Sequence, residues 1–375
     1  MDRNGRVAIV HDWLTGMRGG EKVLEAICEL YPAATLFTFV HVPGSVSDTI
    51  ERHPIRTSFV QRLPRPERLY RHYLPLFPAA VELFVLDGDD LVISSSHCAV
   101  KSVIVRGDAR HICYCHSPMR YAWDQFDAYF GPDQVGRMKS RALRPVMAKL
   151  ARWDAATAGR VHAYVANSSY VAGRIRRYYN RGSTIVYPPV DTEFYRPDPG
   201  RAHSGSGALI VSALVPYKRL DLAIDACRIV RVPLRIVGQG PEEARLRKVA
   251  GSATVEFLGW RTDEEIRALY QSSAVVLLPG TEDFGIVPVE AQACGTPVVA
   301  LGHGGSCETV VDGHTGVLVP EADAAQFADA IRRVIDSVPD RGAIRQHAER
   351  FSKATFKAAF SAVVNATPAD TASPS

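Results

Sequence analysis

Two consecutive apolar strands, each ending in a glycine-containing loop that feeds a helix, constrain this chain more than any other stretch. Ala274 to Leu278 reads as a buried strand, ended by Pro279 and Gly280, neither of which continues a regular ladder. A loop then carries Glu282, Asp283, Phe284 and Gly285. The spacing predicts a helix from Pro288, whose missing N–H is not needed at a first helical position. Glu282 is thereby expected on a loop and Glu290 in the first turn of a helix. The next strand, Pro297 to Leu301, ends in Gly302 to Gly305, with Ser306 as the expected helix cap. Free backbone N–H groups and the helix dipole attract anions at such helix starts, so this is architecture for holding phosphate. Taken singly, Glu290 is a first-turn carboxylate worth about 0.3–1 kcal/mol against the helix dipole, and the glycines are turn residues.

The whole pattern says more. Glu282, seven residues, then Glu290, with Gly285 and Pro288 inside, followed by CGTPVVA and a Gly-Gly loop, resembles the Glu-x7-Glu signature of retaining glycosyltransferases of the GT-B fold. Within them it is similar to the nucleotide-sugar-dependent group called family 4, or group 1. The resemblance implies that Glu282, with the backbone of Phe284, Gly285, Ile286 and Val287, faces the donor sugar and phosphates. It also implies that Glu290 holds the ribose hydroxyls, since a carboxylate accepts two donors from a diol.

A chain of 375 residues suits two domains of ordinary size. Apolar content of 46% and charged content of 22% fit a soluble globular protein. No run of eighteen or more apolar residues occurs, which argues against a transmembrane helix. MDRNGRVAIVHDW enters a strand without a signal-like apolar core, so a cytoplasmic location is expected. The seven cysteines are an odd number scattered through apolar contexts and read as reduced thiols. Cys113, Cys115 and His116 sit together, but no second pair at zinc spacing follows, and no structural metal or cofactor is expected.

The first half alternates strands and helices: strands at Val7 to Val10, Ala34 to Thr38, Leu91 to Ser94, His111 to Tyr114 and Ala163 to Ala166. Gly16, Gly19 and Gly20 follow the first strand, before a helix expected over Glu21 to Leu30. They do not make the dinucleotide fingerprint G-x-G-x-x-G. In the resembled family a glycine loop here lies near donor and acceptor, which implies Gly19 and Gly20 as cleft residues. YCHSPMRYAWD stands at the C-terminal edge of a parallel sheet, where ligands bind in such folds. A histidine among aromatics is commonly structural; the likeness of CHSPMRYAWD to the family's loop implies instead that His116 contacts donor sugar or acceptor. Arg120 joins it on the acceptor side, and Trp123 and Asp124 stay open between site and structure.

Two segments are strongly basic. RHPIRTSFVQRLPRPERLYR, from Arg52 to Arg71, carries six arginines against Glu67, and six basic residues with no acid lie between Arg137 and Arg152. A solvated face is one reading on a chain of net charge +4. Attraction to anionic lipid headgroups is favoured over nucleic-acid binding, because basic and apolar residues alternate as in interfacial segments. No nucleic-acid partner is expected. Lipid-linked acceptors in the resembled family imply the same peripheral site, the inner face of the plasma membrane.

YPPVDTEFYRPDPG marks the boundary, since paired prolines hold the chain extended. The expected organisation is an acceptor-side Rossmann-like domain over 1–187, a linker over 188–207 that includes a flexible loop at 203–207, and a nucleotide-sugar domain over 208–350. The resemblance implies a last helix, about 351–365, returning to the first domain, where Phe351, Phe356 and Phe360 form a buried stripe. The small polar tail 366–375 is expected to be disordered. In the second domain, strands at Ala208 to Ser212, Leu234 to Val237 and Val255 to Leu258 alternate with helices, and Thr262 with Glu265 makes a capping box. The fold class is α/β, two doubly wound parallel sheets.

Lys218 stands where the helix Arg219 to Val230 begins, and an ammonium there would neutralise a diphosphate leaving group. The family carries an arginine five residues earlier; here the position is Ala213, with Arg219 as a possible substitute. Gly238 and Gly240 in IVGQGPEEARL, and Gly259 in FLGW, resemble the nucleotide-side loops. These resemblances imply a sugar transferase using a nucleoside diphosphate donor, with GDP-mannose favoured and a lipid-linked surface glycan as acceptor. A UDP-sugar transferase of the same fold, a sugar-nucleotide epimerase, a glycosidase, and a non-enzymatic membrane- or nucleic-acid-binding protein are the rivals.

Overall fold

The computed structural model describes residues 5–86, 88–198, 205–337 and 340–368. Residues 203–204 of the expected loop and 369–375 of the expected tail lie outside them. The chain divides into two compact units, Met1–Pro189 with Phe356–Ser375, and Val190–Thr355.

The first unit is built on a seven-stranded parallel sheet of order β3-β2-β1-β4-β5-β6-β7. Its strands are β1 Val7–His11, β2 Thr35–Thr38, β3 Ile55–Thr57, β4 Leu91–Ser96, β5 Arg110–Cys115, β6 Ala163–Ala166 and β7 Thr184–Ile185. The central strands are almost wholly buried, as a parallel sheet covered on both faces requires. The last helix, Lys353–Ala366, buries Phe356, Phe360 and Val364 in this unit's core beside Ile9, Tyr114 and Val165. Each such side chain contributes about 1.5–3 kcal/mol. Phe351 departs from the expected stripe. It closes a 3-10 turn before that helix and packs in the second unit against Phe284 and His347.

The second unit carries six parallel strands in the order β10-β9-β8-β11-β12-β13. They are β8 Ala208–Val211, β9 Leu234–Val237, β10 Val255–Gly259, β11 Val275–Leu278, β12 Val298–Leu301 and β13 Gly316–Val319. Residues 190–198 pack into this unit: the Val190 N–H donates to Phe351 O at 2.8 Å, Tyr195 is buried, and Arg345 reaches the carbonyls of Thr192 and Tyr195. The Thr262–Glu265 capping box is present. All seven cysteines are free thiols, six of them buried. Among the described residues no helix is long and apolar enough to cross a membrane.

In each sheet the order reverses at the first strand, between β1 and β4 and between β8 and β11. Ligands of doubly wound sheets bind beyond the carboxyl ends of the strands at such reversals.

Candidate functional site

In the second unit, Lys218 closes a 3-10 turn, Pro216–Lys218, in the loop after β8, and Glu282 lies in the loop after β11. These are the two strands adjacent at the reversal. The Lys218 ammonium bonds directly to Glu282 Oε1, and both side chains are 15% exposed. Gly280 makes the approach possible. A Cβ there would stand 2.6 Å from Tyr217 O and 2.7 Å from Lys218 Cα, so any larger residue would hold the two loops apart. The loop after β12 closes on the same place. The Gly305 N–H donates to Glu282 O at 2.8 Å, and a Cβ on Gly304, at φ +77°, would lie 2.4 Å from that oxygen.

Four expectations here need correction. The helix runs Ile286–Ala293, starting two residues before Pro288, because Gly285, left-handed at φ +89°, turns the chain there. Proline is tolerated inside that first turn because its N–H would have no intrahelical partner. Glu290 consequently falls in the second turn, buried, where it accepts a hydrogen bond from the Tyr270 hydroxyl at 3.0 Å. Ser306 is not a cap: its helix starts at Ser306 itself behind Gly305, and its Oγ bonds the carbonyls of Leu301 and His303. The helix after Lys218 begins at Leu220, with Arg219 as its left-handed N-cap at φ +51°.

Phe284 is buried on Phe351, while Ile286 and Val287, partly buried, open the helix whose start no side chain caps. Gly238 and Gly240 press on β8's extension, where a Cβ would meet Ser212 O at 1.9 Å and Leu214 O at 2.3 Å. Gly259 ends β10 at φ +70° with open space around it, and Trp260 beyond is 67% exposed. Arg219 is paired 3.5 Å from Asp221, not with Glu282.

In the first unit the structure gathers more than the sequence announced. His116 leaves β5 buried, its backbone held by Ser96 O and by the Asn167 amide. Its Nε2 lies 2.9 Å from Ser95 Oγ, and Ser95 Oγ lies 3.1 Å from His11 Nδ1. Burial, then His97, His11 and Arg120, push the His116 pKa well below the usual histidine value. Gly19 and Gly20 are not loop residues. They open the helix Gly19–Leu30, started by the Arg18 N–H donating to Glu21 Oε2 at 3.1 Å. Gly20 sits against His116, with a Cβ placed 3.8 Å from its Nε2. Arg120 opens a short turn, Arg120–Trp123. Trp123 and Asp124 are structural: the indole donates to Asp154 at 2.8 Å, and Asp124 accepts from Arg174 at 2.9 Å.

Asp12, His11, Glu21, Ser95 and His97 were missed. Asp12 is fully buried and accepts four amides, those of His97, Cys98, Ala99 and Val100, at 2.8–3.1 Å, with His97 Nδ1 3.3 Å away. The available signal was polar residues ending apolar strands, HD after VAIV and SSSH after LVI.

Two doubly wound sheets with the site loops at the reversal points define the GT-B class. HepE of Anabaena bound to UDP superposes over 96% of this chain and 99% of its own, with TM-score 0.70 and 18% identity. The lipopolysaccharide outer core galactosyltransferase WaaB superposes over 97% and 100%, with TM-score 0.64 and 16% identity. Residues 17–194 match the model of Glycosyltransferase Family 4, and residues 191–355 match that of Glycosyl transferases group 1. The chain therefore carries the two domains of the group 1, family 4 glycosyltransferases. It is 30% identical over 232 residues to a D-inositol 3-phosphate glycosyltransferase of Streptomyces bingchenggensis, covering 52% of this chain and 50% of that one. With the protein of that name in Mycobacterium tuberculosis it is 33% identical over 192 residues, 46% of this chain and 40% of that one. The chain spans about half the length of the curated relatives it matches.

Proposed function

We propose that this protein transfers a sugar, mannose from GDP-mannose, with retention of anomeric configuration onto a lipid-linked glycan acceptor. The observation that carries the reading is the contact of Lys218 with Glu282 at the sheet's reversal point. An ammonium held there would meet a donor diphosphate, and Glu282 would face the sugar. The bond from the anomeric carbon to the phosphate oxygen breaks while the acceptor oxygen bonds on the same face, and its proton passes to the departing phosphate. Lys218 and the amides opening the helix Ile286–Ala293 stabilise that departing charge. Glu290, steadied by Tyr270, offers its carboxylate to the ribose diol.

The helix Arg137–Ala156 supports a lipid surface as partner: Arg137, Lys139, Arg141, Lys149 and Arg152 are exposed along it, with Met138 88% exposed. Each basic residue near anionic headgroups contributes about 1 kcal/mol. Two observations favour variants of this reading. HepE has been solved with UDP-glucose, which favours a UDP sugar, and the relatives' name favours a phosphorylated polyol as acceptor.

A thermal-shift panel of GDP, UDP and ADP sugars tests the donor, since a bound donor raises apparent stability by mass action. A shift with GDP-mannose is expected. A shift with a UDP sugar alone overturns the mannose assignment and keeps the class, and no shift with any overturns the reading.

A further inference from the structure

Behind His116 the first unit holds a buried polar chain to which the donor chemistry assigns no role. Parallel register sets His11 of β1 opposite Ser95 of β4, and Ser95 Oγ lies between His11 Nδ1 at 3.1 Å and His116 Nε2 at 2.9 Å. His11 Nε2 faces Glu21 Oε1 at 3.7 Å. All four residues are buried.

A hydroxyl has one proton, so Ser95 donates to one imidazole and accepts from the other. The chain therefore has a direction, and Glu21 sets it. Burial opposes ionisation of Glu21, but the facing His11 ring, then His97, hold its carboxyl below the usual value; at 3.7 Å the two side chains are coupled by charge and not by a hydrogen bond. An ionised carboxylate only accepts, so it draws the His11 proton to Nε2 and leaves Nδ1 bare. Ser95 must then donate to His11 Nδ1 and accept from the N–H at Nε2 of His116. That leaves Nδ1 of His116 with a lone pair, since the ring's hydrogen bond to Ser95 is made through Nε2 and the Asn167 amide goes to the backbone carbonyl.

We propose that Glu21, His11 and Ser95 form a tautomer relay that fixes His116 with Nδ1 as a hydrogen-bond acceptor for a ligand hydroxyl. Glu21, His11 and Ser95 are positioning residues. The ligand class, a carbohydrate, rests on the function proposed above, whereas the relay does not. The reverse direction would turn a bare His11 Nε2 toward an ionised carboxylate, two acceptors with no proton between them.

Long-range proton–nitrogen NMR correlations on the full chain with labelled histidine read each tautomer directly. The wild type is expected to show His116 protonated at Nε2 only. Glu21→Gln still accepts the Arg18 N–H but can also donate, which releases the direction and raises the share of His116 protonated at Nδ1. With Ser95→Ala in place, Glu21→Gln should no longer move the His116 signals. His116 protonated at Nδ1 in the wild type, or His116 signals unmoved by Glu21→Gln while Ser95 is present, overturns the relay. Calorimetry with GDP and GDP-mannose follows the ligand. Glu21→Gln should weaken GDP-mannose relative to GDP by about fivefold, the loss of one net hydrogen bond. An unchanged ratio beside a changed tautomer overturns the ligand assignment. If the wild type binds neither nucleotide, the functional reading fails, and the tautomer measurement still decides the relay.

Discussion

Replacing Gly280 by alanine separates the contact on which the proposed donor site turns. The new Cβ would lie 2.6 Å from Tyr217 O, 2.7 Å from Lys218 Cα and 2.9 Å from Lys218 C, all backbone atoms that no side-chain rotation can move aside. Ordinary carbon contacts need roughly 3.5 Å or more, so the loops must part by about 0.8 Å. Overpacking of this kind costs about 1–3 kcal/mol. For a unit of this size that is a fall in Tm of roughly 2–12 °C. Function should suffer more, because the atoms pushed belong to Lys218 and its neighbour, while Glu282 follows two residues after the clash. A displacement near 1 Å costs up to about a hundredfold in rate. The assay pairs a thermal melt with sugar transfer from whichever donor gives the thermal shift. Gly173→Ala is the control: nothing lies within 4 Å of its Cβ, and it sits inside the helix Ser169–Tyr179. There alanine should stabilise by about 0.5–1 kcal/mol. If Gly280→Ala melts and turns over like the wild type, the account of how Lys218 reaches Glu282 is wrong.

Two further outcomes are expected. Asp12→Asn presents an N–H to amides that now find carboxylate oxygens at 2.8–3.1 Å. It should cost about 3–5 kcal/mol in chemical denaturation, and a loss under about 1 kcal/mol would show the turn at 97–100 to be held otherwise. His111, fully buried between Ser94 and the Arg160 carbonyl, has its pKa pushed down by burial to about 3 from an ordinary value of 6.5. Below pH 6.5 the unfolded chain takes up a proton that the folded chain refuses. Stability should therefore be full above that pH and fall by about 1.4 kcal/mol per pH unit toward pH 3. Denaturation midpoints across pH 7.5 to 4.5 should decline less steeply in His111→Gln, by about one proton; an unchanged slope refutes the assignment.

Much of the ladder was legible because buried parallel strands are short apolar runs that need no partner to be seen. Ala163 to Ala166 and Leu234 to Val237 match β6 and β9 residue for residue. The strands at 55–57, 184–185 and 316–319 were not seen. The first two are edge strands of three and two residues whose side chains, apart from partly buried Ile55, are exposed, and they carry no periodic signal. The start of the helix after Glu282 was misjudged by two residues because proline marks a helix start only on average, whereas Gly285 turns this chain by its own dihedral. Tyr270 and Ser95 gave no local hint of what they touch.

By itself the sequence determined which loops would stand at the carboxyl ends of the strands, because strand, glycine loop and helix start are local patterns of burial and backbone freedom. Only the tertiary structure decided which side chains meet there. Lys218 and Glu282 are 64 residues apart, His11 and Ser95 are 84 apart, and Tyr270 and Glu290 are 20 apart. Their encounters follow from strand order and register, and those are settled by pairing between distant segments that no window of sequence contains.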